Sequence, residues 1–288
     1  MIWQEISIRA PHEYVEPISY LFSRYGHGLA MEPDGPDHVI LRTYLTTTSR
    51  QRRARIEVGI KLVSILEDLG ELTFTTLEGG GDWENAWKSH FTLLEVGKRL
   101  VIKPSWIEHE PTADQVVIEL DPGMAFGTGY HPTTHCCLEA MERLVAPGMA
   151  VLDLGTGSGI LTITAARLGA ERVVALDIDP QAILAARQNF RRSRIQKQVT
   201  LARGSLPSPL AKDREFDMVL ANISQRAICE RAPYLAPALK PGGVFIASGF
   251  LQTQAPDVVQ ALGELDIPVI EEWPREDWVT LVFKKAQD

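Results

Sequence analysis

The segment Asp153-Leu154-Gly155-Thr156-Gly157-Ser158-Gly159 follows the apolar Ala150-Val151-Leu152 and opens a helical pattern. Glycines in such a turn let a ligand come close to backbone N–H groups at a helix N-terminus, where an anionic group is favoured. The spacing is Gly-x-Gly-x-Gly. A dinucleotide fingerprint needs a glycine three positions after the second one, and Ile160 stands there, which argues against a nicotinamide dinucleotide. No phosphate-binding lysine follows the loop, so a P-loop nucleotide site is a poor match as well. The next apolar run, Arg172 to Leu176, ends at Asp177, 22 residues after Gly155. A carboxylate at the tip of the second strand can accept both hydroxyls of a ribose. Loop and carboxylate together indicate an adenosyl cofactor. S-adenosyl-L-methionine fits best, because its carboxylate can use the loop amides and needs no pyrophosphate cradle.

Two further segments carry candidate chemistry. The run Asp121-Pro122-Gly123-Met124-Ala125-Phe126-Gly127-Thr128-Gly129-Tyr130-His131-Pro132-Thr133-Thr134 precedes a helix. It concentrates small residues, hydroxyls and one imidazole in a loop able to fold over a small ligand. Gly127 and Thr128 within it, Gly157 in the glycine loop and Ile178 beside Asp177 are therefore counted with the cofactor-binding positions. The second segment, Val219-Leu220-Ala221-Asn222-Ile223, is an apolar strand ending in an amide side chain. In open α/β sheets ligands bind outside the carboxyl ends of the strands, so Gly155, Asp177 and Asn222 should line one crevice. Asn222 can offer its carbonyl oxygen to an amine N–H while the nitrogen lone pair points at a methyl donor; capping of the strand end with a cofactor contact is its alternative role. His131 can accept or relay a proton, although its neighbour Pro132 equally suits a loop-shaping role. The cysteines, Cys136, Cys137 and Cys229, have no CxxC spacing. Reduced thiols and no metal site are expected.

These groups need a scaffold. Strand patterns occur at 150–154, 172–177, 198–203, 216–221, 243–248, 267–273 and 277–284, with helical patterns at 132–146, 158–168, 180–195, 224–239 and 253–264. Apolar strands separated by amphipathic helices imply a mainly parallel sheet covered on both faces, here a doubly wound sheet of seven strands. Pro274-Arg275-Glu276 makes a hairpin that adds an antiparallel strand at the end. Asp179-Pro180 reads as N-cap and first helical residue. Ahead of this, residues 2–9 alternate with Ile2, Ile6 and Ile8 on one parity, and residues 12–25 are helical. Strands follow near 28–32 and 38–46, then a helix from Ser49 with Ile56, Ile60, Val63 and Leu66 on one face and Gly70 as its stop, then a strand at 72–77. The order β-α-β-β-α-β is the ferredoxin-like motif. Glycines 79–81 mark a boundary, and Trp83 and Trp87, four apart on a short helix, suit the cover of a domain junction. The division is 1–78 as an N-terminal α+β substrate-recognition unit, 79–115 as a linker and 116–288 as the cofactor unit.

At roughly 150 residues per domain, 288 residues correspond to about two domains. Hydrophobic residues at 45% and charged residues at 23% exclude a disordered or collagen-like chain. No apolar run approaches the roughly 18 residues of a membrane span, and Met1-Ile2-Trp3-Gln4-Glu5 lacks a secretory pattern, so a cytoplasmic protein is expected. The 29 basic against 37 acidic residues give a net charge of −8, which speaks against a general nucleic-acid coat. Two basic clusters stand out, Arg50 to Arg55 and Arg187 to Lys197; each is a solvated helix face or a docking site. The first has no aromatic close by in sequence, as a nucleic-acid surface would.

The run ending in His131-Pro132-Thr133-Thr134, Asp153 to Leu161, Leu176 to Pro180, Ala221-Asn222-Ile223, the linker from Asp82-Trp83 through Lys103-Pro104-Ser105-Trp106, and the Trp278-to-Lys285 ending resemble the ribosomal protein L-eleven methyltransferases. The likeness is strong over the linker and larger unit and one of layout over the N-terminal block. It implies a Rossmann-like class I methyltransferase domain with a smaller ferredoxin-like domain that holds a protein substrate. It further implies S-adenosyl-L-methionine as cofactor, contacted by Thr134, Gly155, Asp177 and Asn222. The activity implied is methylation of lysine side-chain and N-terminal amines of a ribosomal protein. Tyr130 stands where the family usually has a smaller residue, and Ser224-Gln225 follow Asn-Ile where an apolar and a small residue are usual; both bear on the acceptor's pocket. The alternative is a methyltransferase of this fold acting on another protein, a nucleic acid or a small molecule.

Overall fold

The computed structural model describes residues 2–35, 37–65, 69–77, 93–120, 127 and 129–287. The N-terminal block consists of β1 (Trp3–Pro11), α1 (Val15–Tyr25) after a 3-10 turn, β2 (His27–Pro33), β3 (His38–Thr46), α2 (Arg50–Val63) and β4 (Thr73–Leu77). The four strands pair antiparallel in the order β2-β3-β1-β4. Alternation puts Ile6, Ile8 and Ala10 of β1 on one face, where Val15, Ile18 and Phe22 of α1 and Ile56 and Ile60 of α2 cover them. Ile2 departs from the expected parity: it precedes β1 and is 60% exposed. Helix α2 ends at Val63 instead of running to Gly70, closed by the Ser64 hydroxyl donating to the Ile60 carbonyl at 3.0 Å. Leu66, the glycines at 79–81, Trp83 and Trp87 lie outside the described residues.

Strands β5 (Leu94–Val96), β6 (Leu100–Lys103) and β7 (Val116–Glu119) form a small sheet, β6 and β7 parallel. Their Val96, Leu100, Ile102 and Ile118 belong to the same apolar cluster as the larger unit. That unit comprises α3 (Pro132–Leu144), β8 (Ala150–Leu154), α4 (Ile160–Arg167), β9 (Arg172–Asp177), α5 (Pro180–Arg192), β10 (Val199–Arg203), β11 (Phe216–Asn222), α6 (Gln225–Ala238), β12 (Leu239–Leu251), α7 (Ala255–Gly263), β13 (Val269–Arg275) and β14 (Trp278–Lys284). The sheet order is β10-β9-β8-β11-β12-β14-β13, and β14 alone runs against its neighbours. Cys137, Leu138 and Met141 of α3, Ile163 of α4 and Phe190 of α5 cover one face. Ile228 and Leu235 of α6 and Val258 and Leu262 of α7 cover the other. The order reverses between β8 and β11, which opens a crevice at the carboxyl ends of the strands. No helix among the described residues is long and apolar enough to cross a membrane.

Candidate cofactor and acceptor site

The turn after β8 is shaped by its glycines. Gly155 has φ +79°, and a Cβ there would stand 2.3 Å from Cγ2 of Ile223. Gly159 has φ +87° and would meet the Phe190 ring at 2.4 Å. Both positions combine a left-handed backbone with a close approach, so only glycine is accommodated. The Gly155 and Thr156 N–H groups donate to the Leu176 carbonyl at 2.8 and 3.0 Å, tying the turn to the tip of β9. From that tip Asp177 accepts from the Gly157 N–H through Oδ2 and from the Asp179 N–H through Oδ1, both at 2.9 Å. Asp179 caps α5, accepting from the Gln181 N–H at 2.8 Å ahead of Pro180.

A cavity of about 720 Å³ opens above these groups, within the range of small-molecule sites. Gly155, Gly157, Asp177, Ile178 and Asn222 line it, so five of the expected positions meet in one place. Ile178 is 70% exposed and supplies an apolar surface beside the Asp177 carboxylate. Asn222, at the end of β11, donates from Nδ2 to Thr134 Oγ1 at 3.1 Å. Its Oδ1 is buried and has no hydrogen-bond partner among the described residues. Thr134 is fully buried and touches the site through Asn222. Thr128 lies outside the described residues.

His131 caps a helix. It is the N-cap of α3, its Nδ1 accepting from the Thr133 N–H at 3.3 Å and lying 2.8 Å from Thr133 Oγ1. Burial pushes its pKa down to about 4, so the ring is neutral at pH 7, and it packs edge-on against Trp278 at 4.7 Å. It is not among the residues lining the cavity. Tyr130 is buried in the apolar cluster of the N-terminal block. In the α2 basic segment, Arg53 lies over the Phe74 ring at 3.9 Å and pairs with Glu57 at 2.8 Å, and Arg55 lies over Tyr25 at 5.5 Å. Aromatics distant in sequence thus do meet this segment, as packing within the block.

Sequence reasoning missed two parts of the site. One is the wall formed by Glu16, Pro17, Ser19 and Tyr20 of α1. The other is Asp153, fully buried under the glycine loop, whose Oδ2 accepts from the hydroxyls of Thr156 at 2.7 Å and Thr162 at 2.6 Å. Its Oδ1 has no partner among the described residues, and burial pushes its pKa up to about 6. A carboxyl raised above its unfolded value of about 3.9 contributes stability that is full below that value and is lost as pH rises through the folded one. Between pH 4 and 7 the unfolding free energy of Asp153→Asn should therefore gain roughly 2–3 kcal/mol relative to wild type. Urea titrations at both pH values measure the gap, and a gap independent of pH contradicts the assignment.

The reversed strand order, the glycine loop and an acidic residue at the tip of the second strand define a Rossmann-like protein of the class I methyltransferase type. The family described as ribosomal protein L11 methyltransferase (PrmA) matches residues 2–286. A protein of that name from Chloroflexus aurantiacus is 41% identical over 99% of this chain and 98% of its own length. Another from Geobacillus thermodenitrificans is 38% identical over 99% of this chain and its full length. The crystal structure of ribosomal protein L11 methylase from Lactobacillus delbrueckii subsp. bulgaricus superposes with a TM-score of 0.63 at 33% identity, covering 68% of this chain and all of that one. The chain belongs to the ribosomal protein L11 methyltransferase family.

Proposed function

We propose that this chain is a cytoplasmic S-adenosylmethionine-dependent N-methyltransferase that modifies lysine and N-terminal amines of the ribosomal protein for which its relatives are named. The observation that carries the reading is Asn222, which lines the cavity together with Gly155 and Asp177 and whose buried Oδ1 has no hydrogen-bond partner among the described residues. A buried oxygen without a donor is unfavourable until a ligand supplies one. The residues fit the cofactor. Gly155 and Gly157 border the cavity, Asp177 keeps acceptor capacity for a diol, and Ile178 offers an apolar face for a base.

S-adenosylmethionine, when bound, supplies a methyl group already activated on a sulfonium. The protein's part is alignment and exclusion of water. Asn222 Oδ1 accepts an N–H of the incoming amine and so turns the nitrogen lone pair toward the methyl, while Thr134 holds the amide's other end. Only a neutral amine is a nucleophile. With a reference pKa near 10.4, roughly one lysine in a thousand is neutral at pH 7.4, a penalty of about 4 kcal/mol. Residues 1–78 are the proposed substrate reader. Incubation with methyl-labelled cofactor and the ribosomal protein, followed by mass spectrometry, tests the reading. Label is expected on amines of that protein, at a single-turnover rate rising up to about tenfold per pH unit below the amine pKa. Label confined to nucleic acid or small molecules, or a flat profile from pH 6.5 to 9, defeats it.

A further inference from the structure

The cofactor motifs all follow residue 120, yet α1 of the N-terminal block forms one wall of the cavity. Within that wall Glu16 is a carboxylate only 7% exposed. Burial of such a group is unfavourable unless hydrogen bonds hold it. Its Oε1 accepts from the Gly127 N–H at 3.3 Å. The carbonyl of the same residue accepts from Ser158 Oγ at 2.7 Å, and the Ser158 carbonyl accepts from Asn189 Nδ2 at 2.8 Å. Ser158 belongs to the glycine loop. A line of hydrogen bonds therefore runs from α1 through the backbone N–H and carbonyl of one residue, Gly127, to the turn between β8 and α4. Gly127 suits the position: its φ is +100°, and a Cβ there would come within 2.8 Å of Ser158 Oγ.

We propose that Glu16 is a positioning residue for the cofactor site. Through the backbone of Gly127 it sets Ser158 and with it the glycine loop, so that docking of α1 and cofactor binding form one coupled equilibrium. The inference rests on the reading that the glycine loop holds S-adenosylmethionine. It goes beyond a purely substrate-reading N-terminal block, because part of the cofactor affinity then comes from that block. Linkage makes the effect reciprocal: the factor by which docking strengthens cofactor binding is the factor by which cofactor strengthens docking.

Calorimetry with S-adenosylmethionine on the full chain tests it. Glu16→Ala should weaken binding about tenfold or more, since a charge-assisted hydrogen bond in a buried setting is lost. Glu16→Gln keeps an acceptor oxygen and should bind within about threefold of wild type. Ser158→Ala breaks the same line from its other end, so the double variant Glu16→Ala/Ser158→Ala should be weaker than the worse single one by no more than about threefold. Wild-type affinity in Glu16→Ala, equal weakness in Glu16→Gln and Glu16→Ala, or fully additive losses in the double variant would each overturn the proposal. Should Glu16→Ala fail to fold, hydrogen exchange on the wild type decides: saturating cofactor must increase protection of α1 amides, and unchanged protection overturns the coupling. A wild-type chain that binds no S-adenosylmethionine defeats the cofactor reading itself, whatever the variants do.

Discussion

Alanine in place of Asp177 is expected to weaken S-adenosylmethionine binding about 10- to 100-fold, from loss of charge-assisted hydrogen bonds worth roughly 1.5–3 kcal/mol. The carboxylate is oriented before any ligand arrives, because the Gly157 and Asp179 N–H groups each hold one of its oxygens at 2.9 Å. Each oxygen keeps a further lone-pair site for a ribose hydroxyl, and fixed geometry means little side-chain entropy is lost on binding. Removing the side chain also frees the Gly157 N–H and loosens the loop from the tip of β9. Asp177→Asn retains one acceptor but turns an N–H₂ toward the second partner, so an intermediate loss should follow. Calorimetry on folded variants, checked by thermal unfolding, measures both. Unchanged affinity in Asp177→Ala would remove the residue from the cofactor site, and tighter binding of NAD than of S-adenosylmethionine would return the fold to dehydrogenase chemistry.

Whatever depended on local chemistry was readable from the chain. Asp179-Pro180 announces the start of α5 because an N-cap oxygen and a proline at the first helical position both act within one turn. The alternation of apolar strands and amphipathic helices sets the sheet class, since a parallel strand buried on both faces has few other patterns open to it. The glycine loop, Asp177 and Asn222 could be placed together because carboxyl ends of adjacent parallel strands share one edge. Tertiary placement was out of reach. Arg53 and Phe74 are far apart in sequence and belong to different elements, yet the guanidinium stacks on the ring. His131 looked as suited to proton transfer as to loop shaping, and only its hydrogen bond to the Thr133 N–H reveals the cap. The α1 wall was invisible for the same reason: nothing in a helix with Val15, Ile18 and Phe22 on its buried face says that Glu16 borders another unit's cavity.

Asn222→Ala is expected to lower kcat for methyl transfer about 100- to 1,000-fold, the usual consequence of deleting one preorganised polar group at a reacting centre. Cofactor affinity should stay within about threefold. The separation follows from the geometry. Nδ2 is anchored on Thr134 Oγ1 at 3.1 Å, and Oδ1 is buried with no hydrogen-bond partner among the described residues. An acceptor so placed binds whatever N–H enters, and an amine held by one N–H has its lone pair confined to a narrow range of directions. The contribution is orientation, and it is largest when the reacting nitrogen approaches the methyl. Thr134→Val tests the anchor alone: the amide remains but can rotate, so a smaller loss of about tenfold in kcat should appear. Asn222→Asp keeps the acceptor and adds a charge that favours the ammonium over the neutral amine, which raises the acceptor's pKa and shifts its pH–rate rise toward higher pH. Single-turnover rates at saturating cofactor separate these outcomes. If Asn222→Ala instead loses affinity and rate in the same proportion, the residue is a cofactor contact at a strand end, and another group must orient the amine.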